Sequence, residues 1–169
     1  MSMLGLENIV QQSSSCRVEY NGTLGKLSLV VLGKQVVAPV YLKVPNKTGK
    51  ELLDPELVKQ WNLFLSNAQA VIGQASQDIL SACQTDYNNV SSEKKQLTLE
   101  DVAKAFVKIS EIVVWNRPIR GAYGDEKKAS RESVPHVLIS LEGKNPVFDG
   151  EHGLQIVAVN GKYFCRTTL

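Results

Sequence analysis

The sequence is poor in the residues that most often form cross-links or metal centres. Its 169 residues include three cysteines and two histidines. Cys16, Cys83 and Cys165 lie far apart and form no Cys-x-x-Cys pair, which argues against a disulfide framework and against a structural zinc site. We therefore expect a reducing compartment, with each cysteine acting as a small buried apolar residue. Because His136 and His152 are the only histidines, a three-histidine metal centre is excluded.

An excess of one charge and long apolar runs are also lacking. Nineteen basic residues stand against 17 acidic ones, a formal net charge of +2. That charge is too small to favour nucleic acid or a membrane surface as the partner. No segment approaches the roughly 18 apolar residues that a bilayer-spanning helix needs. Residues 1–10 carry an acid within their apolar run and no basic region, so we expect no secretory signal and a cytoplasmic location.

Common catalytic and nucleotide-binding motifs are missing as well. The chain has no glycine-rich dinucleotide motif, no phosphate loop, no His-Glu-x-x-His and no nucleophile elbow. We therefore expect no cofactor and no enzymatic activity. The hydrophobic fraction of 43% and charged fraction of 21% are those of an ordinary folded protein. We expect a single domain over residues 1–169, with residues 1–14 as a loose N-terminal lead-in.

The clearest positive signal is the apolar periodicity of residues 54–88. Apolar side chains recur there at intervals of three and four, the spacing of one face of an α-helix. They are Leu57, Trp61, Phe64, Ala68, Val71, Ala75, Ile79 and Ala82. Asp54 suits the N-cap and Pro55 the first helical position, whereas Gly73 is a weak point where the helix could bend. The large side chains of this stripe require a covering surface from the rest of the chain.

Short β-forming segments precede this helix. They are residues 17–20, 26–32 and 36–44, separated by the turn-forming pairs Asn21-Gly22 and Gly33-Lys34. Pro39 lies within the third segment and cannot donate to a β-ladder. Its position predicts an edge strand or a bulge.

The half after the helix combines a short helix with further strands. Thr98 and Asp101 have the spacing of a capping box, which predicts a short helix through Phe106 and then a strand from about Ile112. Further strands are predicted at residues 136–142, 154–159 and 162–167, with a tight turn at Asn160-Gly161. The whole pattern predicts an α+β fold. Six or seven mostly antiparallel strands form a curled sheet packed against one long amphipathic helix and a short second helix.

Residues 116–135 contain few side chains that could join a core. We predict a long, mobile connection of mixed charge, which is either simply solvated or functional. Simple solvation is slightly favoured. If the connection is functional, its arginines and tyrosine are the best anchors, because these side chains offer both contact area and directional hydrogen bonds. The candidate partner-binding residues are Arg117, Arg120, Tyr123, Asp125, Glu126 and Arg131.

A second candidate cluster lies near the C-terminus. Asp149, Glu151 and His152 fall within four residues and are flanked by glycines. Such a cluster could do acid–base work or bind a divalent cation. The same residues are also typical of a tight turn that leads into a strand, and we favour that structural interpretation. His136, at the start of a predicted strand, is expected to be structural.

This cluster also carries a family resemblance. The sequence Phe148-Asp149-Gly150-Glu151-His152-Gly153-Leu154, followed by a strand and the turn Asn160-Gly161, resembles the closing motif of a group of uncharacterised bacterial domains. That group typically has Trp-Asp-x-Glu-His-Gly-Leu, so Phe148 stands where tryptophan is usual. Its members also have early β-hairpins, a long central helix and a short helix before the second β half. They resemble immunity proteins of bacterial toxin systems, which bind and mask a cognate toxin. The resemblance implies that role here and transfers no catalytic residue.

Two classes of function are left open by the sequence. The first is a non-catalytic protein-binding protein, an immunity protein whose partner is a cognate toxin. The near-neutral charge argues slightly against a strongly basic nuclease as its target. The second is an enzyme or metal-binding module centred on Asp149, Glu151 and His152. An adaptor or secretion-linked chaperone is a further alternative, which the sequence does not separate from the first.

Overall fold

The fold is a β-sheet curled around one long helix. A computed structural model of the protein describes residues 23–43, 55–120, 128–149 and 153–167. The strands are β1 (Thr23–Val31), β2 (Lys34–Lys43), β3 (Phe106–Arg117), β4 (Val134–Gly143), β5 (Leu154–Val159) and β6 (Lys162–Thr167). The helices are α1 (Pro55–Val90) and α2 (Leu99–Ala105). The predicted lead-in at residues 1–14, the strand at residues 17–20 and the turn Asn21-Gly22 lie outside the described residues.

The described strands form one six-stranded sheet whose spatial order follows the chain order. Neighbouring strands are antiparallel except for β2 and β3, which are parallel. A parallel pair requires the chain to return to the starting end of the sheet, and α1 and α2 lie within that return. The predicted α+β class, with a mostly antiparallel sheet, one long helix and a short second helix, is confirmed.

Helix α1 confirms the predicted amphipathic stripe. Every stripe residue from Leu57 to Ala82 is buried. Trp61 and Phe64 are 3% and 0% exposed, and their ring centroids lie 5.7 Å apart. The helix is continuous through Gly73, so the possible break there does not occur. None of the described helices combines the length and apolarity that a membrane span requires.

Hydrogen bonds from α1 to both edges of the described sheet demonstrate its curl. At the β1 edge, Gln69 Oε1 accepts from the backbone nitrogen of Val30 at 3.2 Å, and Gln69 Nε2 donates to the carbonyl oxygen of Val30 at 2.6 Å. At the β6 edge, Gln74 Oε1 accepts from the backbone nitrogen of Tyr163 at 3.0 Å. One helix can bond both outer strands only if the sheet bends around it. These side chains also occupy edge groups that could otherwise pair with another strand.

The β1–β2 region differs from the prediction in two details. The turn lies at Leu32-Gly33, one residue before the predicted pair, and both residues have positive φ values of 50° and 80°. Strand β2 is an interior strand and not an edge strand. Pro39 nevertheless lies outside the pairing between β2 and β3, because that pairing begins one residue later with Val40 opposite Ile112. Its missing N–H therefore falls outside that ladder.

The capping box at the start of α2 is confirmed. The backbone nitrogen of Asp101 donates to Thr98 Oγ1 at 3.2 Å, and the backbone nitrogen of Thr98 donates to Asp101 Oδ2 at 2.9 Å. The helix ends at Ala105, not at Phe106 as predicted, because Phe106 is already extended with ψ of 132°.

Strand β3 begins earlier than the sequence indicates. It starts at Phe106, which pairs with Gly143 of β4, and not near Ile112. Two register shifts between Phe106 and Glu111 interrupt the alternation of buried and exposed positions. The regular apolar pattern therefore becomes visible only from Ile112 onward.

Candidate functional site

The candidate site lies on the sheet face that points away from α1. Successive residues of a strand point to opposite faces, so Ile112 and Val114 of β3 join the core under α1 while Val113 and Trp115 face the other side. The buried residues on that side, here called the outer cluster, are Val113, Ile119, Leu138, Val157 and Cys165. Tyr41, Trp115, Val134, Val159 and Phe164 pack against them and are half-buried.

Trp115 and His136 form a cross-strand pair beside the outer cluster. The indole Nε1–H donates to His136 Nε2 at 2.7 Å, and the two rings meet edge to face with centroids 6.0 Å apart. His136 Nδ1 lies 2.6 Å from the carbonyl oxygen of Val134. Because an indole N–H can only donate, Nε2 must accept and the imidazole proton must lie on Nδ1. Both ring nitrogens are thus bonded, as expected for the structural histidine that the sequence predicted.

The ionisation of His136 follows from its burial. The side chain is 2% exposed, and desolvation lowers its pKa below the ordinary value. The hydrogen bond to Val134 acts in the opposite direction and has the smaller effect on that pKa. His136 is therefore neutral near pH 7, the state that the hydrogen bond from Trp115 requires.

Arg117 lies at the C-terminal end of β3, over the ring of Trp115. Its Cζ atom is 5.4 Å from the centroid of the indole ring, a distance suited to a cation–π contact. Arg117 is exposed. Because the hydrogen bond to His136 fixes the orientation of the Trp115 ring, the guanidinium of Arg117 packs on a ring that is held in place.

The connection between β3 and β4 is attached to the sheet where it is described. It runs over residues 118–133, slightly shorter than the predicted 116–135. The backbone nitrogen of Ser130 donates to the carbonyl oxygen of Ile119 at 2.9 Å, and the backbone nitrogen of Ile119 donates to Ser130 Oγ at 3.0 Å. Lys128 Nζ donates to the carbonyl oxygen of Phe164 at 2.8 Å and lies 5.5 Å from the centroid of its ring. The predicted mobility of the connection stays a prediction.

Three of the predicted partner-binding residues are described, and all three are exposed around this connection. They are Arg117, Arg120 and Arg131. Arg120 directly follows Ile119 and Arg131 directly follows Ser130. Both arginines therefore lie next to the Ile119–Ser130 hydrogen bonds, which join the two described ends of the connection. The other three candidates, Tyr123, Asp125 and Glu126, lie outside the described residues.

Asp149 lies elsewhere in the fold. Its backbone nitrogen donates to Asp86 Oδ2 of α1 at 3.3 Å, and its carbonyl oxygen accepts from the backbone nitrogen of Gly153 at 3.1 Å. These bonds are those of a turn docked on α1. Glu151 and His152 lie outside the described residues, so the role of the three-residue motif stays a hypothesis.

The two candidate regions are separated by the length of β4. Arg117 pairs with Val134 at the start of that ten-residue strand, whereas the turn with Asp149 follows its other end at Gly143. The structure therefore does not bring Asp149 together with the arginines. Among the residues that the structure describes, no group of three or more potential metal ligands is found.

A polar row crosses the outer face beyond the outer cluster. Glu111, Ser140, Gln155 and Thr167 are paired in succession across β3, β4, β5 and β6. Gln155 Nε2 donates to Ser140 Oγ at 3.2 Å. Ser140, Gln155 and Thr167 are 9%, 5% and 6% exposed. This row depends on strand register and is not predicted by the sequence, although Gln155 within an apolar strand is a visible signal.

Cys83 is not a nucleophile at neutral pH. Burial raises the pKa of its thiol to about 12, and the nearby charge of Asp86 acts in the same direction. The charge of Arg166 lowers that pKa and is the smallest of the three effects. Because the thiolate is the reactive species, the residue is an inert, small buried group, as expected from the sequence.

Protein families, curated proteins and solved structures gave no significant match. The chain's own residues and its C-terminal motif are therefore the guides to its function.

Proposed function

We propose that the chain is a non-catalytic protein-binding protein of the immunity type, which binds a toxin and neutralises it. The observation that carries this proposal is a set of exposed arginines whose neighbouring ring and backbone are held in place by contacts with the sheet and across the connection. We call Arg117, Arg120 and Arg131 the arginine face. Arginine is a frequent anchor at protein interfaces, because its planar guanidinium offers several donors in a fixed geometry and also stacks on flat groups.

The contacts that hold these arginines in place favour binding of a partner protein. Trp115 supports the guanidinium of Arg117, and the Ile119–Ser130 bonds hold the backbone beside Arg120 and Arg131. Ordering a flexible side chain on association costs about 0.5–1.5 kcal/mol, and a side chain that is already oriented loses less. A surface held in this way is suited to recognition.

The motif resemblance supports the immunity role in a different manner. Phe148, the first residue of the motif, is 1% exposed, and its ring centroid lies 6.4 Å from that of Phe106. The aromatic position of the motif is thus a core position in this fold. We infer that the motif is a signature of shared architecture, while partner contacts lie at the arginine face.

Co-expression with the product of the neighbouring gene tests the proposal. We expect the two proteins to co-purify and the neighbour's toxicity to be suppressed. The variant R117E/R120E/R131E should fold and lose protection, because loss of a single anchor residue can already weaken binding by about 2 kcal/mol. The matched control is K26E/K59E/K162E, which changes the same charge at exposed lysines in β1, α1 and β6.

Three outcomes would contradict the proposal. The first is a neighbour that does not bind and kills equally well in the presence of this protein. The second is a neighbour that binds without being toxic, which would indicate an adaptor or a secretion-linked chaperone. The third is loss of protection in the control variant as complete as in the arginine variant, which would move the interface away from the arginine face.

A further inference from the structure

We infer that the outer edge of β1 is a strand-pairing surface for a second copy of this chain, and that the side chain of Gln69 blocks it. Neither β1 nor Gln69 belongs to the arginine face. A second copy and a toxin would therefore contact different parts of the molecule.

The backbone of β1 presents a row of hydrogen-bonding groups on the side away from β2. Val30 bonds to Gln69 of α1 through both its backbone nitrogen and its carbonyl oxygen, so these groups point away from β2. In an antiparallel ladder the groups of every second residue point the same way, and the pairing with β2 is regular over residues 26–31. The outward groups of Ser28 and Lys26 therefore continue this edge. Among the residues that the structure describes, Gln69 is the only one that bonds to it.

Gln69 takes the place that a neighbouring strand would fill at Val30. Its side-chain amide offers an N–H donor and a carbonyl acceptor, as a peptide group does. Oε1 accepts from the Val30 nitrogen at 3.2 Å, and Nε2 donates to the Val30 carbonyl oxygen at 2.6 Å. A residue of a paired antiparallel strand would exchange the same two bonds with Val30. While Gln69 holds these groups, another strand does not pair there.

The sequence of β1 and its turn suits pairing with an identical strand. Residues 27–32 read Leu-Ser-Leu-Val-Val-Leu, a segment rich in apolar and β-branched side chains that contains no charge, glycine or proline. Segments of this composition stack on identical copies of themselves, and edge strands commonly carry a charge or a proline that prevents such pairing. A neutral segment gives no electrostatic preference for a different protein. A second copy brings the same neutral strand without repulsion.

Exposed apolar side chains beside this edge favour the same occupant. Val30 and Val37 are 39% and 49% exposed, and they are two of the five large hydrophobic residues that are exposed in the described part of the chain. They are diagonal neighbours across the β1–β2 pairing and lie on the outer face of the sheet. A second copy that extends this face covers Val30 in both molecules at once, as expected for an interface with two-fold symmetry.

Analytical ultracentrifugation over a range of protein concentrations tests the inference. Wild type should sediment as a monomer. Gln69→Ala removes both bonds to Val30, so its mass should rise toward that of a dimer, with an association constant at least about tenfold above that of wild type. Gln69→Ser is polar and too short to reach Val30, so equal association of this variant would exclude an effect of the alanine surface. Gln77→Ala, at an exposed position of the same helix, should sediment like wild type.

Two further measurements locate the interface in the Gln69→Ala variant. Adding Val30→Lys puts like charges at the paired edges of both copies, so the double variant should return to the monomer. Amide hydrogen exchange at Ser28 and Val30 should be fast in dilute solution and slow down as the protein concentration rises. Exchange at Tyr163, on the β6 edge, should not depend on concentration.

Several results would overturn the inference. If both Gln69 variants stay monomeric at every concentration, or if Val30→Lys does not reverse their association, the β1 edge is not the pairing surface. A wild type that dimerises as strongly as the variants would show that Gln69 does not block the edge. Monomeric variants that bind the product of the neighbouring gene more tightly than wild type does would assign the edge to a different protein. Each of these results leaves the comparison of the arginine variant with its control unchanged, so failure here is distinguishable from failure of the proposed function.

Discussion

At the scale of single residues, two glycines of the chain differ sharply in their tolerance of a methyl group. Gly73 lies in the middle of α1, is exposed, and has no atom within 4 Å of the position that a Cβ would take. Because glycine is about 1 kcal/mol less favourable than alanine inside a helix, Gly73→Ala should stabilise the protein by up to about that amount. Thermal denaturation should show a midpoint raised by a few degrees. An unchanged or lowered midpoint would indicate that the helix bends there in solution.

Gly143 at the end of β4 is the opposite case. A Cβ at this position would lie 2.2 Å from Cδ2 of the buried Phe148 ring. Gly143→Ala must therefore displace the ring or the strand, and we expect a loss of about 1–3 kcal/mol in urea denaturation. A double-mutant cycle with Phe148→Leu provides the control. The smaller side chain should make the alanine less harmful, and strictly additive effects of the two changes would contradict the proposed clash.

His136 predicts how stability depends on pH. Its pKa is lower in the folded protein than in the unfolded chain, so the unfolded state binds more protons between the two values. The stability contributed by neutral His136 is therefore complete above about pH 6.5 and is lost as the pH falls toward the folded-state pKa. Urea denaturation between about pH 7.5 and pH 5 should show this decline. A His136→Phe variant should lack it, and an equal decline in that variant would assign the effect to another group.

At the scale of elements, the bonds from α1 to the sheet edges determine how the sheet closes. Gln69→Ala removes the two bonds to Val30 on β1. We expect a loss of about 1–3 kcal/mol and faster hydrogen exchange at the Val30 amide, since each such bond contributes about 0.5–1.5 kcal/mol. Gln77→Ala, at an exposed position of the same helix, is the matched control. Equal exchange at Val30 in both variants would contradict the role of Gln69 at this edge.

The elements also show which structural features the sequence could predict. Helix α1, the capping box at Thr98 and the turn at Asn160-Gly161 depend on local patterns, and all three are present. The start of β3 was missed because register shifts are set by the partner strand and leave no local signal. The Trp115–His136 pair was missed for the same reason: two separate strands must first align. Composition indicated that arginines of the connection could bind a partner, but it gave no indication of the ring that supports Arg117.

At the scale of the whole molecule, the two candidate regions lie at opposite ends of β4. Hydrogen–deuterium exchange can therefore show which of them contacts a partner. In a complex with a neutralised toxin, hydrogen–deuterium exchange should slow at residues 118–120 and 128–134, around the arginine face. It should stay unchanged at residues 143–149, at the other end of β4. The free protein measured under the same conditions is the reference, and residues 65–75 of α1 provide an internal control, because their backbone bonds lie within the helix in both states. Protection confined to residues 143–149 would instead place the partner at the turn that holds Asp149. The motif of Asp149, Glu151 and His152 would then be the functional site, and the arginines would be an ordinary solvated surface.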